Sequence, residues 1–440
     1  MIDSGDELHA LRVQVWTSTL AETPLPTDGV ATIDEIRALE ELICAAAARQ
    51  ARLAAAFDEA ERARQQAAGV PAQGQGRGIA EQIALARRES PHRGRQHLSL
   101  AKVAHELPHA MEAFRRGLVT EWRVTTLARE TACLSLEDRL AVDRAVAGDP
   151  EAFSGCSDPV VLGEVRKLVA RLDPAAVAER RRRAEAERSV TIRPAPDTMV
   201  YLTALLPVAQ GVAAYAALSA EADRLRAGGD PRGRHQVMAD SFVARATGAP
   251  AHDGHPVVPV SVGVVMTDRA LLAGAHDDAT LVGHGPIPAD LARSLVLLGL
   301  SAGTQAWVRR LFRHPESGEL VAMDSRRRRF PHQLATFLRL RDQWCRTPWC
   351  GAPIRHGDHV VPVSDGGDTT AGGGQGFCES RNYAKQVPGW DHHPRPGPGG
   401  HTVDITTPTG HRHRSTAPPL LGLRHPAYRE VEPGRWVLIA

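Results

Sequence analysis

The chain has 440 residues, 42% of them hydrophobic and 24% charged, with a formal net charge of +2; this is the composition of folded domains, with room for two or three, and it excludes a disordered or fibrous chain. No run of eighteen apolar residues occurs, and the first residues lack the basic start, apolar core and small-residue cleavage site of a secretory signal, so the expectation is a cytoplasmic protein with no membrane span. The small net charge hides an asymmetry, because residues 301–440 hold 19 basic and 12 acidic side chains, a balance of +7 against −5 for residues 1–300, and a basic C-terminal third suits a polyanionic partner.

In chain order, residues 1–30 read as an N-terminal extension. From Thr32 a long amphipathic helix is predicted, with Ile36, Leu39, Ile43, Leu53 and Phe57 on one repeating face and alanines between. Gly and Pro in 69–78 predict a loop, a helix follows over 79–88, and 89–97 reads as a break. Several short helices then succeed one another, two of them started by the caps Thr120-Glu121 and Ser135-Leu136-Glu137-Asp138. The interleaved Glu and Arg of 179–189 predict a solvated helix face laced with ion pairs. Beyond it the character changes: SVTIRP and TMVYLTALLP have strand composition, two helices follow, and the apolar run VVPVSVGVVM reads as a buried strand. His284 and Asp290 read as turn and helix-cap residues, and a hairpin is expected around Glu316-Ser317-Gly318. The whole is expected to be α+β, mainly α, with a helical domain and strand-containing middle over 31–325.

The stretch 326–390 concentrates the chemistry. Four consecutive arginines, Arg326, Arg327, Arg328 and Arg329, precede a helix that leads into CRTPWC, where Cys345 and Cys350 bracket a tight turn and Cys378 returns further on. Of six cysteines, three cluster at metal-ligand spacing while Cys44, Cys133 and Cys156 are scattered, which favours reduced thiols over a disulfide framework. Between the cysteines, His356-Gly357-Asp358-His359 runs into a predicted short strand at Val360-Val361, and Asp365-Gly366-Gly367 supplies a turn. Residues 391–440 read as a Pro/Gly/His-rich tail with one short hairpin-like segment, the pairs His392/His393 and His411/His413 being basic tail residues.

These residues resemble the HNH endonucleases, and in particular the actinobacterial branch that carries a long helical N-terminal domain of unknown function. The resemblance implies a small C-terminal domain of two strands and a helix around a divalent cation, hydrolysing phosphodiester bonds of nucleic acid, double-stranded DNA being the expected partner. It makes His359 the general base, Asp358 and Asn382 the ligands of Mg²⁺ or Mn²⁺, and Cys345, Cys350 and Cys378 three ligands of a structural zinc. Hard oxygen donors suit Mg²⁺ or Mn²⁺, and a neutral imidazole suits deprotonation of water near neutral pH. Lys385, three residues beyond Asn382, and Arg326 to Arg329 are the expected phosphate contacts. Two positions depart from the pattern: Arg381 stands where the fourth zinc ligand belongs, so any zinc is held weakly, and Gly373 stands where an Asn would brace the base. Those departures support the alternative of a nuclease-derived nucleic-acid-binding protein with weak or no cleavage.

Overall fold

The computed structural model describes residues 4–149, 155–248, 263–301, 311–313, 320–323, 330–395, 400–421, 427–432 and 435–439. The chain divides into two compact units, one formed by Met1–Glu59 with Leu98–Val177 and the other by Ala60–His97 with Ala178–Ala440. Helices dominate and the strands gather in several small sheets, so the fold is α+β and mainly α. No described helix is long and apolar enough to cross a membrane.

The first unit holds α1 (Ser4–Glu22) and most of α2 (Gly29–Ala67). Residues 60–97 of the second unit then intervene, with α3 (Ile79–Ala86) and the start of α4 (Pro91–Val103). Four further helices complete the first unit: α5 (Pro108–Arg115), α6 (Glu121–Thr131), α7 (Leu136–Ala147) and α8 (Asp158–Leu172). Its core joins Cys44 and Ala48 of α2 to Phe114, Val124, Leu127, Val142 and Val165. The expected apolar face of α2 is therefore not the one that is buried: Ile36, Ile43 and Leu53 are 58%, 61% and 53% exposed, while Cys44, Ala48, Ala51 and Ala54 turn inward. Small side chains let the neighbouring helices approach closely, and the bulkier face is left outside.

The caps at Thr120 and Ser135 are present, each hydroxyl accepting from the backbone N–H three residues on. A third cap reaches across the fold. Asp143 of α7, fully buried, accepts from the N–H groups of His109 and Ala110 at 2.8 and 2.9 Å and so closes the N-terminus of α5. Burial pushes its carboxyl up and those two bonds pull it down. Asp143→Ala strands one buried and one part-buried donor and should cost this unit about 2–3 kcal/mol in urea unfolding. A loss within the roughly 0.5 kcal/mol typical of surface changes would remove the capping role.

The predicted break at 89–97 is instead the first part of α4. Pro91 starts the helix, as proline can, and Gly94 lies where α4 crosses α3, since an added Cβ would stand 2.2 Å from the Ala80 carbonyl oxygen. The charged run forms α9 (Pro174–Ala186), with Glu179 paired to Arg182 and Arg183 and Arg181 to Glu185. The strands β1 (Ser189–Pro194) and β2 (Val200–Leu205) then pair as an antiparallel hairpin. Next, α10 (Val208–Ala227) and α11 (Arg234–Thr247) pack through Leu218, Ala222, Val237 and Met238. Of the apolar run 257–266, only β3 (Val264–Val265) is a described strand, residues 257–262 lying outside the described residues.

After β3 comes the short α12 (Asp268–Leu272). The strands β4 (Ala279–Leu281) and β5 (Gly285–Ile287) complete a three-stranded sheet with β3, and His284 sits in the turn between them. Asp290 lies in the first turn of α13 (Ala289–Ser301). The hairpin expected around Glu316-Ser317-Gly318 is the pair β6 (Leu311–Arg313) and β7 (Leu320–Met323), its turn residues lying outside the described residues. Then follow α14 (Phe330–Asp342), β8 (His356–His359), β9 (Gly374–Phe377) and α15 (Glu379–Ala384). Finally β10 (Asp391–Arg395), β11 (Thr402–Thr406) and β12 (Arg412–Thr416) form one antiparallel sheet, and β13 (Ala427–Glu432) pairs with β14 (Arg435–Ile439). The expected tail is thus largely strand.

Candidate functional site

A buried charge cluster holds the C-terminal module in place. Arg341 donates to both oxygens of Asp342 at 2.7 and 2.9 Å and to the Gly374 carbonyl at 2.8 Å, while Asp342 accepts from the Gly376 N–H at 2.7 Å. Arg346 lies 3.6 Å from Asp342 and donates to the carbonyls of His401 and Ser415. One acid thereby joins the end of α14 to β9, and Arg346 carries the link to the three-stranded sheet. Buried charges survive only when paired and hydrogen-bonded, and here they are. Leu338 of α14 fits against β8 and β9 because both strands offer glycine: a Cβ on Gly357 or Gly374 would stand 3.2 or 3.1 Å from it.

The turn after α14 brings the thiols together. Trp349 takes a left-handed backbone at φ 59°, and the Cys350 N–H closes on the Thr347 carbonyl at 3.1 Å. Cys378 caps α15. The sulfurs of Cys345, Cys350 and Cys378 all lie within 4.8 Å of one another, buried, and those of Cys350 and Cys378 are 3.7 Å apart. With metal–sulfur bonds of about 2.3 Å, the edge of a tetrahedral thiolate site is about 3.8 Å. The donor set and spacing therefore fit a metal held by three thiolates. Hydrogen bonds from Cys350 and Cys378 pull the Cys345 thiol far down, to about 2, and the same bonds push the other two up.

Arg381 stands one helical turn from Cys378 and is 3% exposed. Its guanidinium carbon lies 5.3 Å from the Trp390 ring centre, and its Nε and one Nη have no hydrogen-bond partner. Burial pushes the group down, while Glu81 and the three thiols push it back up.

The strand bearing the acid and the imidazole begins earlier than expected, at His356, and stops before Val360, because Pro362 turns the chain into the Asp365-Gly366 turn. In the antiparallel pair, Asp358 faces Gln375 and His359 faces Gly374. Consecutive strand residues project to opposite faces. Asp358 meets α15, where Lys385 donates to its Oδ2 at 2.7 Å and also to the His359 carbonyl. Lys385, expected on phosphate, is thus engaged inside the module with its side chain 8% exposed. His359 Nε2 lies 2.8 Å from the Thr369 hydroxyl. The loop at Gly373 is fixed without an Asn, its N–H donating to Thr370 and its carbonyl accepting from Val360 at 2.6 Å. Asn382 is on α15, half-buried. Arg326 to Arg329 lie outside the described residues.

The His pairs of the expected tail are strand residues. His392 on β10, Ile405 on β11 and His413 on β12 are in register on one face. His392 is 6% exposed, both its ring nitrogens lack partners, and its ring packs edge-on against Phe377 at 5.8 Å. Burial first, then the charges of Lys385 and Arg381, pull His392 down to about 3. The unfolded chain therefore binds the proton more readily, so this group's contribution is complete above about pH 6.5 and is lost as pH falls toward 3, by up to roughly 5 kcal/mol. The stability difference between wild type and His392→Leu, followed by tryptophan fluorescence, should accordingly change between pH 7.5 and 5. A pH-independent difference would contradict the assignment.

Residues far earlier in the chain complete this module, and nothing in their spacing announces it. Ser380 of α15 donates to Glu81 of α3 at 2.7 Å and accepts from Arg95 of α4 at 2.8 Å. Thr409 donates to Gln82 at 3.0 Å, and Gly78 leaves room for the Trp390 indole nitrogen, which would stand 2.8 Å from an added Cβ.

No curated protein and no solved structure matches the chain. A family match covers residues 36–342, which includes α3 and α4 and ends short of Cys345. Spanning more than half of the sequence, it establishes that the chain belongs to the family described as Domain of unknown function (DUF222).

Proposed function

We propose that the C-terminal module is a metal-dependent DNA endonuclease of the HNH type, hydrolysing phosphodiester bonds of double-stranded DNA in the cytoplasm. The observation that carries this reading is the placement of Asp358 and His359 at the end of β8, in a two-stranded sheet whose return strand leads through Cys378 into α15 with Asn382. Asp358 and Asn382 offer the hard oxygen donors that Mg²⁺ or Mn²⁺ prefers, and they are the residues that would hold it. When bound, such an ion supplies charge stabilisation to phosphate oxygens. The chain's own part is His359, which takes the proton from water. The Thr369 hydroxyl 2.8 Å from Nε2 holds the ring, and in the tautomer that donates from Nε2 the lone pair a general base needs is on Nδ1. The basic balance of residues 301–440 favours a DNA partner.

One contact favours the second reading, a nuclease-derived binding protein with weak or no cleavage: the Lys385 ammonium already neutralises Asp358 and competes with a divalent ion. Incubation of the purified chain with supercoiled plasmid in Mg²⁺, Mn²⁺ or EDTA decides between them. Nicking in either metal and none in EDTA is expected. Retention of DNA without nicking in any metal would select the second reading, and neither binding nor cutting would overturn both.

A further inference from the structure

We infer that α2 joins two copies of this chain, its outward seam closing against the same seam of the second copy as a short antiparallel coiled coil. The helix has two apolar faces, and its own core uses only the one with Cys44, Ala48, Ala51 and Ala54. The other runs through Ile36, Leu39, Ile43, Ala46, Gln50 and Leu53, alternating steps of three and four residues, which is the seam of a supercoiled helix pair and narrower than the stripe of a helix lying on a globular core. Ile36, Ile43 and Leu53 on this seam are more than half exposed, and Leu42 beside it is 43% exposed. A helix that needed only its core would carry polar side chains here.

The occupant follows from the pattern of size and charge, which complements itself. With the helices antiparallel, Leu39 meets Ile43 of the second copy, Ile36 meets the small Ala46, and the polar Gln50 meets the polar Thr32. Leu42 flanks the two-fold axis. On the same flank Glu35 then faces Arg49 of the second copy, and the two-fold repeats the pair. Parallel helices would set Glu35 against Glu40 of the second copy, like charge against like. Every contact is made twice by one patch, as an isologous dimer demands.

Light scattering coupled to size exclusion and sedimentation of the full chain, over a wide range of concentration, test this. A dimer is expected. Ile43→Asp should give a monomer with unchanged helical circular dichroism, because position 43 is exposed within the chain itself. Glu35→Arg and Arg49→Glu should each weaken the dimer about tenfold, and the two together should restore it. A misfolded variant could not produce that rescue. A wild-type monomer at every concentration, a dimer indifferent to Ile43→Asp, or a double charge reversal that fails to restore pairing would each overturn the inference.

Discussion

His359→Ala should abolish the nicking of supercoiled plasmid, a loss on the order of 10²–10⁴-fold, while leaving DNA retention intact. The magnitude is that of removing a positioned general base. The structure gives the imidazole one partner, the Thr369 hydroxyl at 2.8 Å on Nε2. Among the described residues the ring has no other hydrogen-bond partner, so the variant should fold. On the proposed reading, binding would draw on basic side chains elsewhere, and the loss should therefore fall on turnover and not on affinity. Gel-shift and nicking assays on the same preparation separate the two. Equal cleavage by wild type and variant would remove His359 from the chemistry, and loss of binding together with cleavage would make it a structural residue.

The local parts of this module are legible in the sequence because they depend on near neighbours. The Cys345 to Cys350 turn, the turn at Asp365-Gly366 and the helix that Cys378 caps each follow from a few adjacent residues. Periodicity is less informative where two apolar faces share one helix: in α2 the larger side chains outrank the alanines on any hydropathy scale, yet close packing buries the small ones. The sheet of 391–416 is obscured by Pro and Gly, and only Val403 and Ile405 carry the alternation that predicts a strand. Ion pairs and hydrogen bonds across the fold leave no local trace at all. Lys385 and Asp358 are 27 residues apart and Ser380 and Glu81 are 299 apart, so neither spacing predicts the contact. For the same reason α3 and α4, read as part of the N-terminal domain, are found packing on α15.

Arg381→Cys should convert a weak metal site into a tight one. Three of four tetrahedral positions are already present, with sulfurs at the spacing a bound zinc requires. What the wild type lacks is a fourth anionic donor, and in its place it has a buried cation within electrostatic reach of all three thiols. A dication beside that guanidinium pays for its charge in repulsion, and the missing ligand adds to the loss. The variant reverses both effects and also removes two buried nitrogens that have no hydrogen-bond partner. Glu81 would lose a nearby positive charge, but it keeps its bond from Ser380 and its proximity to Arg95. The zinc affinity of the variant should rise by at least about 100-fold, equivalent to roughly 3 kcal/mol, and carry the thermal stability of the C-terminal module with it. Arg381→Leu separates the two contributions, since it removes the cation without supplying a ligand and should recover only part of the gain. Metal analysis after dialysis against a mild chelator reads the result directly: one zinc per chain is expected in Arg381→Cys and much less in the wild type. A wild type that keeps a full equivalent would mean that another residue, or water, already completes the site and that Arg381 does not weaken it.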